Sequence, residues 1–299
     1  MKRFNSIVFA LTAVCGFALS SYAQTDTILV NDTWADGNRT STGPDGSGID
    51  SQWFSSSGAA LTVPAAGDMR AIPVTSLSEE TYFASQTLAA TGDELKFTWV
   101  YTPNGTIVAN TSQGFNLAVV NGATHVSADG SSPISQVYAG YAMYMNMSSP
   151  NLGNGNPFPL KEWNLGATPG ALLSSSGNWS TLANGATSGN HGYDSGTTYT
   201  LVMTLTRNAS SGLDITTTTT GGTLNGTGTA TVSFTDTTPN TFTYDTFALR
   251  QTGSASGAAQ VDTSLFKVEF LTAPVPEPTT LALAGLGILA FAGYRRMRR

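Results

Sequence analysis

Glu94-Leu95-Lys96-Phe97-Thr98-Trp99-Val100-Tyr101 is the stretch on which the fold class turns. Leu95, Phe97, Trp99 and Tyr101 recur at every second position, with polar or smaller residues between them. Side chains of a strand point alternately to opposite faces, so this spacing places four large apolar groups on one face. A helix of 3.6-residue period would scatter them around its surface. The same alternation returns downstream. Tyr199, Leu201, Met203 and Leu205 alternate with Thr200, Val202, Thr204 and Thr206. Ala230, Val232 and Phe234 alternate with Thr229, Thr231, Ser233 and Thr235, and Phe266, Val268 and Phe270 with Lys267 and Glu269. Weaker versions predict strands over residues 27–30, 115–120, 136–147, 214–219 and 243–250.

Turn-forming clusters separate these stretches: Gly43-Pro44-Asp45-Gly46, Pro103-Asn104-Gly105, Ala128-Asp129-Gly130, residues 151–159 and Gly221-Gly222. Only residues 76–84 read as a helical turn. Many short strands without crossover helices predict an all-β fold, an antiparallel two-sheet jelly-roll sandwich over residues 24–273. No repeat of fixed period is visible, which argues against a propeller or a β-helix.

The 299-residue chain carries 13 Lys and Arg against 19 Asp and Glu. Six of the bases lie in the two end segments, and Glu277 is the only acid there, so the body keeps 7 bases and 18 acids, a net of −11. Such a surface offers no cationic footprint to a phosphate backbone, and no nucleic acid is expected as a partner. Charged residues make up only 11%, which suits turn-rich strands whose surfaces are kept wet by hydroxyls and amides.

The ends speak of export. Met1-Lys2-Arg3, an apolar run over residues 7–19 and Ser21-Tyr22-Ala23 predict a secretory signal peptide over residues 1–23, cut by signal peptidase after Ala23. The single cysteine, Cys15, falls inside it, so the mature chain is expected to have neither disulfide nor zinc–thiolate site. At the other end Pro274-Val275-Pro276-Glu277-Pro278 stops regular structure. Residues 279–294 are almost wholly apolar, and Arg295-Arg296-Met297-Arg298-Arg299 follows. As a helix the apolar run would reach about 24 Å against a hydrocarbon core of about 30 Å, a marginal single transmembrane span. The arginines hold its end in the cytoplasm and leave the body outside.

This order of Val-Pro-Glu-Pro, short apolar helix and arginine cluster resembles the PEP-CTERM sorting domain of Gram-negative surface proteins. The resemblance covers residues 274–299 and implies that Pro276, Glu277 and Pro278 are the recognition motif of an integral-membrane exosortase, which cleaves near it. The protein would then be anchored transiently in the inner membrane before reaching the cell surface or the outside. A lasting C-terminal anchor is the plainer alternative. In the body, the opening residues 31–39, the closing residues 261–270 and the block Phe115-Asn116-Leu117-Ala118-Val119-Val120 with Tyr138-Ala139-Gly140-Tyr141 resemble strands of concanavalin A-like lectin and glucanase sandwiches. That resemblance implies binding of carbohydrate or exopolysaccharide.

Few residues carry chemistry. Carboxylate pairs that flank a glycosidic bond must share a face. The adjacent acids Glu79-Glu80 and Asp93-Glu94 would point to opposite faces of a strand. His125 and His191 lie in Gly/Ser/Asn-rich stretches without a nucleophile at motif spacing, and read as loop histidines. No catalytic residue is therefore assigned, and the chain is read as a non-enzyme without a cofactor, with a polysaccharide-active hydrolase or lyase as the alternative. A structural matrix protein without a ligand is the other. Asp32, Asp36 and Asn38 gather oxygen ligands around Gly37 and are the candidate set for a structural calcium, against an ordinary Asx turn. Trp53, Trp163 and Trp179 sit in or beside turn-rich stretches and are the candidate stacking platforms for sugar rings, whereas Trp99 reads as core.

Overall fold

The alternating stretch beginning at Glu94 opens β6 (Glu94–Ile107), a strand of 14 residues (strands are numbered in chain order). Leu95, Phe97, Trp99 and Tyr101 are fully buried in the computed structural model, and the residues between them are half-buried. The structure describes residues 25–40, 49–73, 75–131, 133–174, 176–253, 255, 257–273 and 287. The expected signal peptide, the sorting tail apart from residue 287, and the turn at residues 43–46 lie outside these.

Thr25–Ala273 forms one compact unit of two antiparallel sheets. The first has eight strands. Its order is β15 (Thr229–Asp236), β14 (Leu213–Thr220), β13 (Tyr199–Arg207), β6, β17 (Ala258–Leu271), β4 (Asp68–Ala71) and β3 (Leu61–Ala65), with β1 (Asp26–Asp32) also paired to β17. The second has seven, in the order β12 (Trp179–Asn184), β10 (Pro159–Trp163), β9 (Tyr138–Met145), β7 (Phe115–Gly122), β16 (Thr243–Gln251), β5 (Leu77–Thr87) and β2 (Trp53–Ser55). A small ribbon pairs β8 (Ser135–Gln136) with β11 (Gly170–Ala171). The all-β two-sheet sandwich expected from the alternation is the fold observed. Among the described residues no helix is long and apolar enough to cross a membrane.

The core between the sheets is aromatic. Phe247 stands at its centre, with ring centroids 4.6 Å from Phe266, 6.0 Å from both Trp53 and Phe97, and 6.5 Å from Trp99. Trp99 stacks on Tyr101 at 4.1 Å. Each such ring buries a large apolar area, worth roughly 25 cal/mol per Å² removed from water.

Two local expectations fail, each for a physical reason. Pro103-Asn104-Gly105 does not reverse the chain, because β6 runs through it. Gly105 takes φ +72°, and the register against β17 shifts between Ala258 and Gln260, so the turn residues serve a β-bulge. Residues 76–84 form no helical turn but lie almost wholly in β5. There Glu79 and Thr81 share the core-facing side with Leu77 and Phe83, and two buried polar groups hide the apolar alternation.

Candidate functional site

The central strands of the seven-stranded sheet are buried on both faces. Leu117 and Val119 of β7, Tyr141, Met143 and Met145 of β9, and Phe247 and Leu249 of β16 enter the main core. Their alternates Ala118, Val120, Ala142, Tyr144 and Ala248 enter a second, separate cluster with Tyr138, Trp163, Leu172, Leu173 and Trp179. The outward face of this sheet is therefore covered by the segment between β10 and β12 instead of by water. Trp163 and Trp179 lock that cover, edge to face at 5.1 Å, and Trp163 meets Tyr138 in the same manner at 5.4 Å.

The cover leaves one polar opening of about 360 Å³. Its floor is a cross-strand row: Arg250 of β16 pairs with Asn116 of β7, which pairs with Tyr144 of β9. Ser112 and Gln113 form one wall, and Leu173, Ser174 and Ser176 the other. Asn116 is only 2% exposed, yet its Oδ1 has no hydrogen-bond partner among the described residues. A buried acceptor without a partner costs about 1–3 kcal/mol; Trp163 Nε1 and Thr217 Oγ1 are buried without a partner in the same way. Leu173 is held at φ +60°, a left-handed conformation that costs a β-carbon-bearing residue about 1 kcal/mol and clusters at functional sites. Its carbonyl accepts from Arg250 Nη1 at 3.3 Å, while Arg250 Nη2 reaches Ser76 Oγ at 3.3 Å. Lys161 stands with Nζ 4.6 Å from the Tyr144 ring centroid. Burial pushes the Lys161 ammonium and the Arg250 guanidinium below their ordinary ranges and the Tyr144 phenol above its own.

The tryptophans proposed as platforms are placed differently. Trp53 is fully buried in the main core, with its ring 5.2 Å from Phe266. Trp163 and Trp179 are 1% and 5% exposed. None of the three offers a free ring face to a sugar, because turn-rich sequence around a tryptophan does not keep it in solvent when a covering segment folds over it.

Asp32, Asp36 and Asn38 do not converge on a cation either. Asp32 accepts Trp34 N–H at 2.8 Å through Oδ1, and Ser51 N–H at 3.1 Å and Ser51 O–H at 2.6 Å through Oδ2. Ser51 Oγ in turn accepts Trp53 Nε1–H at 2.6 Å. Asp32 is thus the base of a buried relay that fixes the Trp53 indole, and desolvation raises its pKa. Asp36 Oδ1 accepts Asn38 N–H at 2.8 Å and Asn38 Oδ1 accepts Thr40 N–H at 2.9 Å, two Asx turns in series. These oxygens are already engaged by local donors and do not fit a calcium site. Among the described residues no group of three or more His, Cys, Asp or Glu side chains is disposed to hold a metal.

The acids and histidines have structural partners. Glu79 faces the core, accepts Gln251 Nε2–H at 3.0 Å and is pushed by burial up to about 8. Glu80, on the opposite face, accepts Tyr82 O–H at 2.7 Å. Asp93 accepts Ala89 N–H, Ala90 N–H and Ala273 N–H and ties the end of β17 to the start of β6. Glu162 lies within hydrogen-bonding reach of Asp236, and burial pushes its carboxyl up. Tyr141 O–H donates to Asp236 at 2.7 Å. His125 stacks on Tyr82 at 4.1 Å with Nε2 3.3 Å from Asp245 Oδ2, and His191 Nε2 lies 2.9 Å from Asp194 Oδ2.

Asn116 was open to sequence reasoning: it is the lone polar residue inside Phe115-Asn116-Leu117-Ala118-Val119-Val120. The row it forms with Tyr144 and Arg250 depends on strand pairing across distant segments, which no local pattern shows.

Comparison with known proteins bears on the C-terminal tail. Residues 274–299 match the PEP-CTERM protein-sorting motif, which marks the chain as exported and as carrying an exosortase-type sorting signal at its C-terminus. No curated protein matches the chain in sequence. Among solved structures, peanut lectin bound to a nine-residue peptide is similar at 10% identity, covering 84% of this chain and 99% of its own, with a TM-score of 0.44. The carbohydrate recognition domain of Emp47p is similar at 12% identity over 82% of this chain and 94% of its own, with a TM-score of 0.47. The exoplasmic/lumenal domain of VIP36, in a form bound to Ca2+ and mannose, is similar at 12% identity over 81% and 88%, with a TM-score of 0.46. Those ligands belong to those proteins.

Proposed function

We propose that this chain is an exported cell-envelope protein, cut by signal peptidase and then by an exosortase at residues 276–278, whose sandwich is a non-catalytic saccharide-binding module. The binding site is the opening over Asn116. The observation that carries this reading is the polar opening itself, about 360 Å³ between Ser112, Gln113, Ser174 and Ser176, with Arg250 at its floor. The hydroxyls of a pyranose both donate and accept, which suits walls of serine hydroxyls and a glutamine amide. The acids support a non-catalytic role. Glu79 and Glu80 diverge, and Glu162 and Asp236 stand at hydrogen-bonding distance, closer than the roughly 5–9 Å that glycoside hydrolysis needs between its carboxyls.

Calorimetric titration of the full-length chain in detergent with a panel of bacterial oligosaccharides tests this. The wild type should bind at least one of them, and Ser174→Trp should abolish binding without lowering stability, because the exposed Ser174 lines the opening and the larger ring would fill it. Binding untouched by Ser174→Trp, or no binding at all, would contradict the site and favour a ligand-free matrix protein. Release of reducing ends or unsaturated products from any polysaccharide would instead establish the enzyme. For sorting, deleting residues 276–278 should leave uncut protein in the membrane. Mature protein outside at normal size would refute the exosortase step.

A further inference from the structure

Seven cations serve an acidic body, and four of them meet carboxylates: Arg39 with Asp129, Arg70 with Asp262, and Lys96 and Lys267 with Glu269. A fifth, Arg207, donates to the Leu88 carbonyl at 2.7 Å and lies over the Phe242 ring at 4.3 Å. Lys161 and Arg250 remain, and they flank Tyr144 on the covered face. Neither has a carboxylate within 4 Å among the described residues. Lys161 is 8% exposed and rests on the ring alone. Arg250 makes only two long contacts, at 3.3 Å each, both with neutral oxygens. Desolvating a cation without an opposite charge is costly, and this chain has 18 body acids from which a partner could have come.

We infer that the opening over Asn116 selects a carboxylated saccharide, a uronate, with Arg250 as the group that reads its charge. The inference rests on the saccharide reading above and narrows it. A guanidinium presents a planar fork of N–H donors that matches a carboxylate in a bidentate manner. Arg250 shares the opening with Ser112, Gln113 and Ser174, so one sugar residue can meet these with its hydroxyls while its carboxylate accepts from Arg250. Lys161, behind the Tyr144 ring, adds positive potential to the same place without touching the ligand.

The test uses two β-1,4-linked hexasaccharides that differ only at C6, oligomannuronate and mannohexaose, titrated against the full-length chain at low salt. The wild type should bind the uronate about tenfold tighter or more, since a charge-assisted pair is at stake. Arg250→Gln should weaken the uronate alone and bring the two sugars within about twofold, and Arg250→Lys should restore part of the difference because the charge returns. Added salt should narrow the gap in the wild type. If both sugars bind equally, or Arg250→Gln weakens them alike while Arg250→Lys does nothing more, charge selection is wrong and the saccharide reading stands. If neither sugar binds the wild type but a neutral glycan of another class does, the inference fails alone. If no glycan binds, both fail.

Discussion

The outward faces of the two sheets are built on opposite principles. On the eight-stranded sheet, Thr216, Thr218, Ser233 and Thr231 stand in solvent and pair across strands, at 3.0 Å for Thr216 with Ser233 and 3.1 Å for Thr218 with Thr231. On the seven-stranded sheet the equivalent face is roofed over by Trp163, Trp179, Leu172 and Leu173. The hydroxyl face is satisfied within itself. The roofed face contains an orphan acceptor, a left-handed leucine and two cations without carboxylates, and of these Asn116, Leu173 and Arg250 line one opening. A region that is folded at some cost and left incomplete is the better place to look for a ligand than one that is complete.

That contrast can be broken most sharply by truncation. Trp163→Ala should cost about 3–5 kcal/mol in chemical denaturation, because it empties the centre of the second cluster. Thr218→Ala on the hydroxyl face should fall within about 0.5 kcal/mol. Similar losses at the two positions would mean that the roof is not a packed element.

Acidity gives the next largest effect. Burial raises Glu79 from 4.5 to about 8 and also raises Glu162, so both hold their protons longer in the folded chain than in the unfolded one. Their contribution is complete below about pH 4.5 and is lost as pH rises through the folded values, so stability should fall between pH 4.5 and about 8. By pH 7 the loss from Glu79 is on the order of 3 kcal/mol. Glu79→Gln should flatten most of that slope in melts recorded across this window; an unchanged slope would show that Glu79 is not the titrating group. The smallest effect concerns the buried side of the hydroxyl sheet. Thr217 Oγ1 is buried and has no partner among the described residues, so Thr217→Val should raise stability by about 1 kcal/mol, while Thr218→Val should not.

The same contrast explains what could be read from the chain. Where one face is wet, as in β6, β13 and β15, apolar and polar residues alternate, and the strands are plain in Leu95 to Tyr101 or Ala230 to Phe234. Where both faces are buried, as in β7 and β9, the alternation is replaced by continuous apolar runs, and the face a residue occupies cannot be told. Trp163 and Trp179 were misjudged for this reason: their burial depends on a segment that folds back over the sheet. Asp32 was misjudged because its partners, Ser51 and through it Trp53, lie about twenty residues on. The sorting tail needed no fold at all, since its three parts are contiguous in residues 274–299.

The central claim is that the opening on the roofed face, and not the hydroxyl face, meets the ligand. Side-chain amide and backbone resonances followed during titration with oligomannuronate test it directly. The account predicts saturable shifts at the Asn116 amide, Tyr144, Leu173 and Arg250, with Thr216 and Thr218 unmoved. Shifts confined to the threonine face, with Asn116 silent at saturation, would contradict it.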